Sequence, residues 1–212
     1  MISGFVLFPN LTQLDFTGPL QVLHRLPGAT THIVAKTLDP VPSDCGLSLL
    51  PTTTFDDCPP LDLLCIPGGF GVDDAIADEA TVAFVRRMGA RARWITSVCT
   101  GAFLLGAAGL LEGRRATTHW AYRELLPLVK AIPVEARVVR DGNVITGGGV
   151  TAGIDFALTV AAEIAGEDLA REIQLAIEYD PAPPFAMSDD RARLLQRYAT
   201  RKDRFAERLR RC

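Results

Sequence analysis

This sequence is poor in the residues that bind metals and in the loops that bind phosphates. It has three histidines, at 24, 32 and 119, and no Cys-x-x-Cys pair. That spacing excludes the common zinc ribbons and fingers, and no metal is expected. The glycine-rich stretch Gly68-Gly69-Phe70-Gly71 has no Lys-Ser/Thr after it and does not form GxGxxG. It is therefore neither a phosphate loop nor a dinucleotide fingerprint. No apolar run approaches the roughly 20 residues of a membrane span, so no membrane contact is expected. No basic segment precedes the first apolar run, Gly4 to Phe8, so no secretory leader is expected. The five cysteines, at 45, 58, 65, 99 and 212, are odd in number and lack framework spacing. They argue against a disulfide scaffold and for a reducing, cytoplasmic setting. Neither a repeat nor a low-complexity linker interrupts the chain.

What remains is 212 residues, 48% of them hydrophobic, which suits one well-filled α/β domain. Gly4 to Phe8, His32 to Lys36, Leu61 to Ile66 and Trp94 to Val98 are short apolar runs of the kind found in buried parallel strands. A short strand is expected near Leu47 to Leu50, within a proline-rich loop over 40–60. Helical patterns cover Gln13 to Leu26, Glu79 to Arg93, Ala102 to Ala108, Thr151 to Ala165 and residues 168–178, with Thr151 as an expected N-cap. Val134 to Val139 and Asn143 to Thr146 read as a hairpin turning at Asp141-Gly142. Strands alternating with helices predict βαβ units and a mostly parallel sheet. Active sites of such sheets lie beyond the carboxyl ends of the strands.

Charge is uneven. Net charge is −3, yet residues 191–212 carry nine basic and two acidic side chains, or +7, leaving −10 elsewhere. A basic tail can mark nucleic-acid binding. Here the arginines surround Leu194, Leu195, Tyr198 and Phe205, which reads instead as an amphipathic helix. Such a helix can dock on its own domain or on a partner subunit, and no nucleic-acid partner is expected.

Val98-Cys99-Thr100-Gly101-Ala102 carries the most chemical information. A cysteine between a strand and a helix sits on a sharp turn, and its neighbours must be small. Near a helix N-terminus its thiol pKa is expected to fall, giving a thiolate. The alternative is a buried structural cysteine. Asp15 is a lone acid among apolar neighbours near the start of the first helix. It is either a helix-start acid or a carboxyl facing the crevice with a raised pKa, able to act as a general acid. Pro67-Gly68-Gly69 is either a tight turn or a set of backbone N–H groups donating to a developing charge. Thr100 cannot serve as the base of a Cys-His pair, which weighs against peptidase chemistry, but it can donate a hydrogen bond or hold a water. His119, in Thr117-Thr118-His119-Trp120, is either near the site or a structural helix-start histidine. Gly147-Gly148-Gly149, with Gly153 and Ile154, permits close backbone approach to a ligand or helix, or forms a dimer seam.

Phe8-Pro-Asn-Leu-Thr-Gln-Leu-Asp15, Ile66-Pro-Gly-Gly69, Ser97-Val-Cys99-Thr-Gly-Ala102, Thr117-Thr-His119-Trp and Thr146-Gly-Gly-Gly-Val-Thr-Ala-Gly-Ile-Asp155 together resemble the ThiJ/PfpI superfamily, related to class I glutamine amidotransferase domains. The resemblance runs over about residues 3–185. Asp15 in place of Glu, and Thr100 in place of His after the cysteine, point within it to the isonitrile hydratases. The resemblance implies a flavodoxin-like three-layer α/β sandwich over residues 1–185, with 186–212 as a helical extension. It implies a homodimer and a cofactor-free hydration of a small-molecule isonitrile to a formamide. Cys99 is then the nucleophile, Asp15 the acid/base and Thr100 a supporting group, with Gly69, Phe70, His119 and Ile154 against the substrate. Two other readings remain. One is a different cysteine enzyme of this fold acting on glyoxal-type aldehydes or amides. The other is a sensor domain like those of AraC-type regulators, disfavoured because only 27 residues follow Phe185.

Overall fold

The computed structural model describes residues 1–187 and 190–211, so residues 188–189 and Cys212 of the expected extension lie outside the described residues. In chain order the elements are β1 (Ile2–Val6), α1 (Gln13–Leu23), β2 (Thr30–Ala35), β3 (Val41–Pro42), β4 (Ser48–Leu49), β5 (Thr53–Thr54) and β6 (Leu63–Ile66). There follow α2 (Val72–Ala77), α3 (Glu79–Gly89), β7 (Trp94–Val98), α4 (Gly101–Ala107) and β8 (Arg115–Ala116). A 3₁₀ helix over Trp120–Val129 leads to β9 (Ile132–Pro133), β10 (Val138–Asp141) and β11 (Val144–Gly147). Helices α5 (Ala152–Ala165), α6 (Glu167–Ala176) and α7 (Arg191–Leu209) complete the described chain.

Seven strands form one sheet in the order β10-β11-β7-β6-β1-β2-β5. Every neighbouring pair is parallel except the β10–β11 hairpin. Strands β6, β7 and β11 are buried along their whole length, as strands covered on both faces are, and Thr96, Ser97 and Thr146 are buried with them. Helices α1, α5 and α6 pack as one group, and α2, α3 and α4 as another to which α7 attaches. This is the mostly parallel, helix-flanked sheet expected from the sequence. Strands β7, β6 and β1 are adjacent. Their carboxyl ends therefore bring Cys99, Pro67-Gly68-Gly69 and the approach to Asp15 to one edge of the crevice.

Local chemistry moved several boundaries. Helix α1 ends at Leu23 rather than Leu26, before Gly28 at φ +64°. The hairpin is shifted toward the C-terminus, and its turn is Gly142-Asn143, with Gly142 supplying φ +63°. Thr151 makes no side-chain cap to α5; its hydroxyl instead accepts a hydrogen bond from Arg137 at 3.5 Å. The proline-rich stretch over 40–60 contains β3, β4 and β5, the last an edge strand of the main sheet. Sequence periodicity gave no sign of the one-and-a-half-turn α2 or of the 3₁₀ helix, which holds Pro127 and cannot run as an uninterrupted α-helix.

The glycines in the crevice are fixed by contact. A β-carbon on Gly101 would lie 2.3 Å from the Ile66 carbonyl oxygen and 2.6 Å from that of Pro67. One on Gly18, in mid-helix, would make its nearest contact at 3.5 Å. We therefore expect Gly101→Ala to destabilise the fold by about 1–3 kcal/mol, as overpacking does. Gly18→Ala should be neutral or stabilising by up to about 1 kcal/mol. Urea midpoints of the two variants check this, and equal effects would contradict it.

Candidate active site

Cys99 follows β7 directly and has φ +54°, a left-handed conformation rare for a side chain other than glycine. The turn is held from three sides. The Cys99 N–H donates to the carbonyls of Gly147 (3.1 Å) and Gly148 (2.8 Å). The Thr118 hydroxyl donates to the Cys99 carbonyl at 2.7 Å. Gly101 allows α4 to begin against the end of β6. Cys99 is thus over-determined by its surroundings, as a strained residue must be to persist.

Asp15 lies at the first turn of α1 and is fully buried. Its Oδ2 accepts from the Gly68 N–H at 3.0 Å, and the Cys99 thiol lies close enough that each group shifts the other's pKa. Its Oδ1 is buried with no partner. Gly68 is the wedge between the two groups. A β-carbon there would sit 2.8 Å from Asp15 Oδ2, 2.8 Å from the Cys99 Cβ and 2.5 Å from the Thr100 nitrogen. Only glycine lets carboxyl, thiol and turn meet.

Burial raises the Asp15 carboxyl from 3.8 to about 7, against the lowering effects of the Gly68 N–H bond and of the neighbouring Cys99 thiol. Burial also pushes the Cys99 thiol well above its ordinary range, and the neighbouring Asp15 charge adds to this. This corrects the expectation of a lowered thiol pKa. The dipole of α4, a helix of seven residues, does not offset the desolvation of a side chain on a residue only 5% exposed. The resting pair is a thiol beside a carboxyl that titrates near neutrality.

Thr100 clamps the Gly69 peptide: its hydroxyl accepts from the Gly69 N–H at 3.0 Å and donates to the Gly69 carbonyl at 3.1 Å. The Gly68 N–H is taken by Asp15 and the Gly71 N–H by the Asn10 carbonyl at 3.1 Å. The N–H groups of Gly68, Gly69 and Gly71 are therefore committed, which overturns their reading as donors to a developing negative charge. Gly69 itself adopts φ +129° against Thr12 and Asn10.

A half-open cavity of about 250 Å³ lies over this pair. Cys99, Thr100, Gly69, Phe70 and His119 line it, while Ile154 does not: Ile154 packs beside Gly18, where α5 meets α1. The His119 Nδ1 accepts from the Ala121 N–H at 3.3 Å, capping the 3₁₀ helix, and burial lowers its pKa. His119 is thus both a helix cap and a cavity wall, neutral at pH 7. The glycines of 147–149 meet the chain's own Phe156, Arg137 and His119, and Gly153 meets Pro19, so their close approach is internal. Further lining residues are Thr12, Asp44, Asp73, Tyr122, Val150, Tyr198, Arg201 and Phe205. The last three belong to α7, so the basic helix docks on its own domain. Amphipathicity revealed that helix; no sequence pattern revealed which site it covers.

The nucleophile elbow, the buried acid beside it and the parallel sheet define one class. The chain matches the DJ-1/PfpI family over residues 4–163 and belongs to that family. It is 62% identical over 182 residues to an isonitrile hydratase of Pseudomonas putida, covering 86% of this chain and 80% of that protein. A crystal structure of a ThiJ/PfpI family protein from Pseudomonas syringae superposes with a TM-score of 0.95 at 45% identity, covering 98% of this chain and 90% of the other. The HTH-type transcriptional regulator GbdR of Pseudomonas aeruginosa is 29% identical over 184 residues, which are 82% of this chain and 48% of the regulator.

The raised Asp15 pKa has a stability signature. Its unfolded value is near 3.8 and its folded value about 7, so between them the native state binds more protons. The contribution of Asp15 is then fully present below about pH 4 and is lost as pH rises through 7. At about 1.4 kcal/mol per unit, the stability of the wild type relative to Asp15→Asn should fall by about 2–3 kcal/mol between pH 5 and pH 8. Denaturant unfolding at both pH values measures this, and a difference independent of pH would mean that Asp15 is not buried with its proton.

Proposed function

We propose that this protein hydrates small organic isonitriles to N-substituted formamides, with Cys99 as nucleophile and Asp15 as the group that carries the proton. The observation that carries the reading is the buried thiol–carboxyl pair under a small, largely apolar cavity, in a chain 62% identical to an isonitrile hydratase. The net reaction, R–NC plus water to R–NH–CHO, is redox-neutral. It requires one soft nucleophile and one group that both takes and gives a proton near neutral pH.

The pair supplies both. As the Cys99 sulfur bonds to the terminal isonitrile carbon, Asp15 takes the thiol proton and delivers it to that same carbon. The product is a thioimidate, R–N=CH–S–Cys99. Asp15 then takes a proton from water as the hydroxyl adds to the carbon, and passes it to the nitrogen. The adduct R–NH–CH(OH)–S–Cys99 collapses by expelling the sulfur. The hydroxyl proton returns through Asp15 to Cys99, which restores the thiol and releases the formamide. Neither member of the pair has to hold a full charge alone in the buried site, which is why a raised thiol pKa is compatible with this chemistry. A carboxyl near pKa 7 is matched to acid and base work at neutral pH. With Nδ1 occupied by the Ala121 N–H, neutral His119 carries its proton on Nε2 and can donate to the substrate nitrogen. Thr100 positions Gly69, and Thr118 positions Cys99.

A two-fold homodimer and a cytoplasmic setting are further parts of the proposal. Exposed Leu175 and Phe185 support the first. For the second, Cys45, Cys58, Cys65 and Cys99 are all free. Light scattering should give twice the 22.9 kDa chain mass, whereas a monomer at every concentration would refute the dimer.

Purified protein given a simple alkyl isonitrile should release the formamide, read by mass spectrometry. Cys99→Ala should abolish turnover and Cys99→Ser should nearly do so. Asp15→Asn should lose on the order of a hundredfold or more, as removal of a general acid–base does, and Asp15→Glu should retain more. Wild-type rates in Cys99→Ala or Asp15→Asn would reject the assignment of that residue.

A further inference from the structure

The reacting pair lies within the segment that matches the family, but part of the cavity wall does not. Residues 4–163 contain Asp15, Cys99, Thr100 and His119, whereas Tyr198, Arg201 and Phe205 belong to α7, beyond that segment. Their spacing, i, i+3 and i+7, puts them on one face of the helix. Resting on the hydratase reading above, we infer that α7 is the specificity element of this enzyme. Its Tyr198, together with Phe205, sets the largest substituent that an isonitrile can carry to Cys99.

Four observations support this. First, the wall is a connected aromatic group rather than a loose cover. The Tyr198 ring lies 6.2 Å from Tyr122, 6.4 Å from His119 and 6.2 Å from Phe70, centroid to centroid. Second, Phe205 is buried and meets Phe103 edge-to-face at 4.9 Å. Phe103 is in α4, the helix that begins directly after the nucleophile turn, so the wall is registered against the reacting sulfur. Third, α7 is fastened at several points along its length. The Arg208 Nε lies 3.0 Å from Asp73 Oδ1, Lys202 Nζ lies 2.7 Å from Glu124, and the Arg201 guanidinium stacks on Phe70 at 3.7 Å. Fourth, the half-open cavity is about 250 Å³, below the range of about 300–1,000 Å³ that holds drug-sized ligands. A substituent there must be compact, and its apolar surface meets Tyr122, Val150, Tyr198 and Phe205. Tyr198 is half-buried at the cavity, so its ring can be cut back or enlarged with less disturbance of the core than the Phe205 ring.

The test is a size series. Methyl, tert-butyl and 1-adamantyl isonitrile are turned over by the wild type, Tyr198→Ala, Tyr198→Trp and Phe205→Leu. The ratio of kcat/KM for adamantyl to methyl should rise tenfold or more in Tyr198→Ala, rise in Phe205→Leu, and fall in Tyr198→Trp. A ratio unchanged by all three variants would overturn the proposal. A second readout does not depend on hydration: the rate of Cys99 alkylation by iodoacetamide and by the bulkier N-phenylmaleimide, followed by peptide mass spectrometry. Tyr198→Ala should speed the maleimide selectively. Equal acceleration of both reagents would mean that α7 has merely undocked, and would also overturn the proposal. Should the wild type turn over no isonitrile while the alkylation ratio still shifts, the hydratase reading fails and the wall stands.

Discussion

A carboxyl that would be charged in water and a thiol that reacts as its anion are buried against one another, and the rest of the site follows from that. Alone, the Asp15 carboxylate or the Cys99 thiolate would be costly to hold in this crevice. Together, with the Gly68 N–H on the carboxyl and the thiol beside it, they form a coupled pair in which each group alters the other's hold on its proton. The pair exists only because the turn between β6 and α2 has no side chain at residue 68. It is strained on one side, where Cys99 holds φ +54°. The strain is held in place by the Gly147 and Gly148 carbonyls and by Thr118, from separate parts of the chain.

The fold supplies this arrangement as a consequence of strand order. With β7, β6 and β1 side by side and parallel, three loops emerge at the same edge. One carries the thiol, one the glycine wedge, and one leads into the first turn of α1, which holds the acid. No single element holds the site, so its geometry depends on the register of the sheet. Helix α7 then covers the crevice from the far end of the chain, and its cationic side chains meet Asp73, Asp74 and Glu124 on the domain rather than a distant partner. Its positive charge is in part a docking device, which accounts for a basic helix on an acidic body.

The parallel sheet, the elbow and the pairing of Asp15 with Cys99 were legible because each has a local signature. These are unbroken apolar runs, a reactive residue among small ones, and a lone acid in an apolar stretch. What was not legible depended on long-range contacts. The direction of the Cys99 shift could not be read from a cysteine at a helix start, because burial by residues distant in sequence outweighs the local dipole. The glycines of Pro67-Gly68-Gly69 looked like free donors, yet Asp15 and Thr100, 53 and 31 residues away, take two of their N–H groups. Ile154 is adjacent in sequence to glycines that approach the site, but one helical turn carries it to α1. Tyr198 and Phe205 were legible as the apolar face of a docking helix, and only the packing shows that this face is a cavity wall.

The account stands on Asp15 holding a proton at pH values where an ordinary carboxyl has lost it. Infrared difference spectroscopy across a pH titration, with Asp15→Asn as the reference that assigns the band, observes that proton directly. The account predicts a protonated carboxyl stretch that persists at pH 5.5 and disappears with a midpoint near 7. A carboxyl already fully ionised at pH 5.5 would contradict it.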